Sequence, residues 1–454
     1  MTSVPVAPGN LPVIGHAWMV RHRSLPWLRS LYPYEDIVKV YLGPKAAYLP
    51  IAPELLYEVL VTKNDCFSKG PFYEKMQPLI GNSLGMLAGD AHSLRRRLVQ
   101  PAFHVNIVAR YFDVIREQTA AVSGAWQPGR QLALDDEITG LMLAISARSL
   151  FSARVEHEAV TAVQRTLPVV MEGFFKRAWA ATRLPEKLPT AQNRRFNAAV
   201  RDLRRALFDL IIEYRGEEDH GDVLSMLLGA RDKSTGQGMS DLQVRDEVIG
   251  LLTASCEDIG TTLAWAFWSL AKNPLEQERI HAELDTVVAG RRIEYADVER
   301  LEYLQCFLNE VLRLRPPWLT TRHTQRPVKI GNYTIPANTT ILVSPYLQHH
   351  NPRIYQNPEH LDPERWGSEN RQSIPRGAYI PFGTGAHVCP GRHFAMLVAR
   401  TVVAIVLTQW RLELASGAKV KERVAVSIHP TELPVAVTPR PSGPMYRSAR
   451  SGAH

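Results

Sequence analysis

The chain has 454 residues, of which 45% are apolar and 22% charged. That is enough to bury a large core, and length alone leaves the number of domains open. The net charge of +8 is modest for this size, and the arginines are spread over amphipathic segments rather than packed into aromatic-interleaved stripes, which argues against nucleic-acid binding. Four widely spaced cysteines, Cys66, Cys256, Cys306 and Cys389, form neither a disulfide framework nor a zinc pattern, as expected of a protein in a reducing cytoplasm.

The amino-terminal stretch, residues 1–22, is broken by Pro5, Pro8, Gly9, Pro12 and Gly15 and carries no signal-peptide or membrane-anchor pattern. It is expected to be extended, ahead of one large domain over 23–438 and a disordered Ser-, Arg- and Gly-rich tail over 439–454. Alternation over 37–51 around Gly43-Pro44 predicts a hairpin, and helical spacing covers 53–64 and 91–150. The apolar and aromatic stretch 168–189, with Phe174, Phe175 and Trp179, reads either as core or as a mobile lid over an apolar pocket. A charged helix follows over 191–215, then surface loops at 216–221 and 231–238.

A long helix is predicted over 240–271, ending at Asn273-Pro274, and another over 298–315, stopped by Pro316-Pro317. Short strands over 328–335 and 339–343 precede an irregular stretch, 351–377. No repeat or linker divides the chain, so the expected fold is a single, mainly α domain with a minor β region.

The most informative segment comes next: Pro381-Phe382-Gly383-Thr384-Gly385-Ala386-His387-Val388-Cys389-Pro390-Gly391. It sets one cysteine on a glycine-rich loop leading into an apolar helix over 392–412. Gly383 and Gly385 permit a tight turn and close approach to a flat cofactor, and Pro390 suits a helix start. The positive end of the helix faces the sulfur and favours thiolate. The pattern Phe-x-x-Gly-x-x-x-Cys-x-Gly resembles the haem-ligand loop of the cytochrome P450 family, with Phe382, Gly385, His387, Cys389 and Gly391 at the matching places.

The resemblance extends over residues 8–435 and implies a P450 fold binding haem b, with the Cys389 thiolate as axial iron ligand. It places His92, Arg96, Arg322 and His387 on the haem propionates. It likens Glu310, Arg313 and Arg365, in Glu310-Val-Leu-Arg313 and Pro363-Glu-Arg365-Trp366, to a buried charged triad behind the haem. The segment from Ala254 to Trp265 resembles the family's central helix. There Glu257 matches the usual acid, while Asp258 stands where the family usually has a threonine that serves proton delivery to dioxygen. A buried carboxyl can also relay protons, and two adjacent carboxyls favour a shared proton. The alternative is that Asp258 only hydrogen-bonds a loosened helix backbone near Gly260.

Family resemblance further implies a soluble monooxygenase acting on a lipophilic molecule with dioxygen. Its electrons come from NAD(P)H through ferredoxin and ferredoxin reductase, with basic residues near the cysteine loop and Arg95, Arg96 and Arg97 as a docking face. Substrate-pocket candidates are 72–86, 169–175, Thr253, 318–321 and 428–430, mostly apolar. The runs Leu42-Gly-Pro-Lys45 and 188–197 resemble those of bacterial members that oxidise cyclic sesquiterpenes, which points to a terpenoid. Two other readings stay open: a haem-thiolate enzyme with altered chemistry, peroxide-driven oxidation or rearrangement, motivated by Asp258; and a non-catalytic haem sensor.

Overall fold

The apolar run after the cysteine loop forms the helix Arg392–Gln409, around which the molecule is assembled in this computed structural model, which describes residues 3–151, 158–178, 188–217, 219–425 and 427–440. Val398, Val402, Val403 and Ala404 are wholly buried where it packs against the helices Phe112–Gly124, Gly260–Lys272, Pro274–Val288 and Glu302–Leu314. It is long and apolar enough to cross a membrane, yet 67% of it is buried inside the protein, as a core helix should be. The helix stops short of residue 412. Trp410 Nε1 donates to the Ser123 carbonyl at 3.0 Å and Leu412 N donates to Gln277 Oε1 at 2.8 Å, so the chain leaves as the strand Trp410–Leu414.

The expected long helix over 240–271 is two helices. Asp241–Ala254 starts with a capping box between Ser240 and Gln243, and Gly260–Lys272 completes it. Between them Ser255–Ile259 is a π-helical turn, a local widening that commonly marks functional sites. The stretch 91–150 is also divided, into Gly89–Val99, Phe112–Gly124 and Leu134–Leu150. The breaks fall near Pro101 and at Gln127-Pro128-Gly129, where proline removes a helix donor.

The largest sheet has five strands in the order Ile37–Leu42, Lys45–Pro50, Thr340–Val343, Thr320–Thr324 and Phe67–Ser68. The hairpin expected over 37–51 is there, with Ile37 opposite Pro50 and Leu42 opposite Lys45. The single strand expected over 328–335 is instead a hairpin of Val328–Ile330 and Tyr333–Ile335, turning at Gly331 (φ +53°). Residues 1–22 are not extended throughout: Ala17–His22 is a short helix. Buried His16 anchors it, with Nε2 2.8 Å from the Ala7 carbonyl and Nδ1 accepting from Tyr41 N at 2.9 Å. Glu158–Ala178 is helical through Pro168 and packs on Ala191–Arg215. The side chains of Phe174 and Phe175, Trp179, and the tail from 441 onward lie outside the described residues.

Candidate active site

Local geometry of the cysteine loop follows from its glycines. Gly383 (φ +69°) and Gly385 (φ +68°) take left-handed conformations open to glycine, which lets Cys389 N donate back to the Phe382 carbonyl at 2.8 Å. Gly385 is also packed tightly on its other side. A Cβ there would lie 2.4 Å from the Leu60 carbonyl oxygen, so this glycine lets the loop seat against the turn Glu58–Thr62. Cys389 opens on an internal cavity. Burial pushes its thiol up to about 11, and Asp258 adds to that; the Gly391 N–H, Arg96 and Arg392 pull the other way without prevailing. The helix end alone therefore does not ionise the sulfur, and a metal ion bound to it would.

The cavity measures roughly 520 Å³ and is lined by Phe382, His387, Cys389 and Gly391 from the loop, His92 and Arg96 from the helix Gly89–Val99, Arg322 from its strand, and Glu257 and Asp258 from the π-turn. Sequence reasoning had placed all of these at the site; it missed Lys69, which also lines it. The strand Phe67–Ser68 pairs with Thr320–Thr324, Ser68 opposite His323, and so delivers Lys69 beside Arg322. A long-range pairing of two short strands leaves no local signal.

Lys69, His92, Arg96, Arg322 and His387 converge with no carboxylate among them. Burial and Arg322 push Lys69 down to about 7. Burial, Lys69 and the neighbouring arginines push His92 down to about 4 and His387 to about 2, their rings lying 4.0 Å apart. Arg322 Nε and His387 Nδ1 are buried without a hydrogen-bond partner. Arg96 donates to the Val388 carbonyl, next to the cysteine, and through Nε to Gln100 Oε1 at 3.0 Å. Buried cations and orphaned donors are costly unless an anion meets them. A haem, with two propionates at one edge and an iron for the sulfur, fits this donor set. Lys69, His92, Arg96, Arg322 and His387 would hold the propionates, and Cys389 the iron.

Across the cavity, the π-turn presents both carboxyls. Asp258 lines the cavity; burial, then the neighbouring Glu257, pushes its carboxyl up to about 6 despite a hydrogen bond from Ser427 and the nearby His429. Ser427 Oγ donates to Asp258 Oδ1 at 3.2 Å. His429 Nε2 lies 2.5 Å from Glu257 Oε1, and its Nδ1 is 3.2 Å from Thr261 Oγ1. The backbone carbonyl of Asp258 accepts from Thr262 Oγ1 at 2.8 Å. Ser427 and His429 escaped the sequence reading as partners, because the carboxy-terminal hairpin that carries them meets the helix only in the fold.

Behind the loop, Glu310 and Arg313 are wholly buried. Arg313 meets Glu310 twice at 2.8 Å and spends its remaining N–H groups on the carbonyls of His349, Pro358 and His360. Arg365 Nε reaches Glu310 Oε1 at 3.3 Å, and Trp366 Nε1 donates to Glu310 Oε2 at 2.9 Å. The expected triad is thus assembled, with Trp366 as a fourth member.

Two expectations need correcting. The run Arg95–Arg97 is not a free basic face: Arg95 is buried against Glu247 at 2.5 Å, Arg96 is turned to the cysteine loop, and Arg97 pairs with Asp232 at 2.5 Å. Among the pocket candidates, Tyr73, Leu84, Met86, Met171, Thr253 and Thr320 line the cavity. Trp318 does not, since its Nε1 donates to the Ala425 carbonyl at 2.8 Å. Residues 428–430 face the central helix, Trp265 Nε1 donating to the Ile428 carbonyl at 2.6 Å, and Ser427 lines the cavity instead.

This fold and donor set define a haem-thiolate protein. The family model for cytochrome P450 matches residues 5–435, and the chain belongs to the cytochrome P450 family, as does a 38% identical relative, cyclooctat-9-en-7-ol 5-monooxygenase of Streptomyces melanosporofaciens, aligned over 96% of this chain and 95% of the relative. The chain is 39% identical to cyclooctatin synthase of Streptomyces melanosporofaciens, with 96% of this chain and 95% of the relative aligned. It is 34% identical to pentalenene oxygenase of Streptomyces avermitilis, over 96% and 98%. The crystal structure of the cytochrome P450DA haem domain superposes with a TM-score of 0.87 at 24% identity, covering 97% of this chain and 98% of that one, and so shares the fold.

Proposed function

We propose that the protein inserts one oxygen atom of dioxygen into a terpenoid or similarly lipophilic molecule, with electrons from NAD(P)H passed through a ferredoxin and its reductase. The observation that carries this reading is the wall of the cavity opposite the loop. Ile80, Leu84, Met86, Met171, Val223 and Leu251 supply apolar surface there, suited to an apolar skeleton rather than a sugar or nucleotide. The relatives named for cyclooctatin and pentalenene support the terpenoid class.

When bound, haem with a thiolate ligand supplies reductive activation of dioxygen. The chain's own groups do the rest. Apolar side chains exclude water and hold the substrate near the cofactor. The Glu257–Asp258 pair holds protons at the cavity wall, and we assign the relay to Asp258 in place of the family's threonine, since burial keeps its carboxyl protonated into the weakly acidic range. With Arg95–Arg97 internally paired, exposed Arg392 beside the cysteine loop is a candidate contact for an acidic redox partner. We place the enzyme in the cytoplasm, in keeping with its free cysteines.

Titration of the ferric enzyme with cyclic sesquiterpenes, diterpenes, fatty acids and small aromatics tests the reading, followed by turnover with ferredoxin, reductase and NAD(P)H. A terpene-specific Soret shift with oxygenated product supports it. Response to another class alone removes the terpenoid assignment. Activity with peroxide but none with reductant and dioxygen would favour the altered-chemistry reading that Asp258 motivates, and binding with no product under either regime would favour a sensor.

A further inference from the structure

The hairpin of Glu422–Val424 and Ile428–Pro430 is pinned from several sides. Trp265 takes the Ile428 carbonyl, Trp318 takes the Ala425 carbonyl, and Arg315 pairs with Glu422 at 2.8 Å. Its turn and far strand thereby meet the π-turn with one polar side chain for each carboxyl, Ser427 on Asp258 and His429 on Glu257. The side chains of His429 and Glu257 are only 14% and 11% exposed, so water screens their contact weakly.

Both imidazole nitrogens face a polar atom. Nε2 lies 2.5 Å from a carboxylate oxygen without hydrogen-bond alignment, a contact too close for two facing lone pairs and so one that places the ring proton on that nitrogen, and neutral His429 then accepts the Thr261 hydroxyl at Nδ1. In the imidazolium form the Thr261 oxygen turns to accept instead, and the contact with Glu257 becomes an ion pair. In either state the imidazole beside it favours a carboxylate at Glu257. A hydroxyl donor such as Ser427 favours the charged form less than a histidine does, so the pair is asymmetric by construction.

We propose that His429 is a positioning residue for proton delivery: by fixing Glu257 as a carboxylate it makes Asp258 the carboxyl that carries the proton into the cavity. The inference rests on the monooxygenase reading above. Asp258 is raised to about 6 by burial and then by Glu257, in agreement with this order of protonation. The other titratable or charged groups around the pair are Cys256 on the same turn, Cys389 across the cavity, and the Arg315–Glu422 ion pair on the hairpin. None of these meets Glu257 as His429 does. For each oxygen atom inserted, two electrons from NAD(P)H and two protons reduce the other oxygen atom to water. A proton that leaves an Asp258 oxygen leaves a carboxylate beside Glu257, which regains its proton from solvent.

Infrared spectroscopy of the substrate-free holoenzyme tests the order of protonation without turnover. In the wild-type protein at mildly acidic pH, a carboxylic-acid band should vanish on Asp258→Asn. In His429→Leu the proton should redistribute to Glu257, so that a band survives the Asp258→Asn change, and product formed per NAD(P)H should fall by about tenfold. His429→Gln, which keeps an amide donor toward Glu257, should stay within about twofold of wild type. Unchanged band assignment and coupling in His429→Leu would overturn the proposal, as would loss of coupling in His429→Gln with the Asp258 band unmoved. If His429→Leu fails to load haem, Glu257→Gln tests the relation from the other side. With the neighbouring charge gone, the Asp258 band should titrate at lower pH, and an unmoved midpoint overturns the proposal. A wild-type control that gives no product with NAD(P)H and redox proteins would instead sink the monooxygenase reading and leave the band assignment standing.

Discussion

Arg313 grips Glu310 through two parallel hydrogen bonds, Nε to Oε2 and Nη2 to Oε1, both at 2.8 Å and both shut off from water. The guanidinium has five N–H groups, and all five are used, the other three on backbone carbonyls of the 349–360 region. A lysine offers three donors and no fork. Arg313→Lys should therefore leave at least two of these five contacts unmet, and Arg313→Ala leaves the buried Glu310 carboxylate with only Arg365, Trp366 and the Asp362 N–H, at a cost of about 3–5 kcal/mol. Both variants should lose haem on purification and melt earlier; a haem content and melting curve equal to wild type would refute the structural role.

Cys389→Ser should remove the red-shifted ferrous–carbon monoxide band while the protein still folds, because the side chain is nearly isosteric and the loop is held by its glycines and by the Cys389 N–H bond to Phe382. Persistence of that band in the variant would show that another residue ligates the iron.

Lys69→Met tests a residue that only the three-dimensional arrangement brings to the site. If Lys69 meets a propionate, losing one charge-assisted hydrogen bond should speed haem transfer to an acceptor globin by about tenfold or more. Arg322→Leu should do the same, and more strongly, since Arg322 is the more deeply buried cation. Unaltered transfer rates would mean that neither side chain touches the cofactor.

Gly383 and Gly385 share a left-handed backbone but differ in surroundings. At Gly383 an added methyl would be 3.6 Å from its nearest neighbour, whereas at Gly385 it would be 2.4 Å from the Leu60 oxygen. Gly383→Ala should cost about 1–2 kcal/mol from backbone conformation alone. Gly385→Ala should cost clearly more and disturb the cysteine loop, a ranking that urea melts with haem absorbance would check.

For Asp258 the carboxyl is raised from 3.8 to about 6, so its proton is present below that value and lost as pH rises through it. Stability that depends on the neutral form is complete below the unfolded value and disappears over the same window. Asp258→Asn should thus gain stability over wild type at alkaline pH and none in acid. Asp258→Thr should retain oxygenation while flattening the fall in rate above about pH 6, and an identical pH profile in the two enzymes would remove Asp258 from the relay.

The cysteine loop was legible in the sequence because its signal is local: turn glycines, the cysteine and the following helix occupy one continuous run from Pro381 to Gln409. Arg96 and His92, one helical turn apart, were legible once the order of motifs was known. Lys69 was not, since the pairing of Ser68 with His323 places it, and two-residue strands have no periodicity to read. The π-turn at 255–259 was equally hidden: it adds a residue to one helical turn without Pro or Gly at its centre, and the apolar spacing on either side still reads as one helix. The same widening leaves Asp258 facing the cavity, so the local irregularity that escaped the pattern is also the one that matters for chemistry.

Five basic side chains gathered at one edge of the cavity, with no acid among the described residues of that cluster, make the polypeptide an incomplete electrostatic object. Folding without cofactor forces Lys69, Arg96 and Arg322 together against their mutual repulsion, and the two histidines there are driven to neutrality. Haem therefore acts as the counter-ion of the fold as well as its catalyst. The yield of intact protein should then rise with tetrapyrrole supply, chains without haem being the less stable ones.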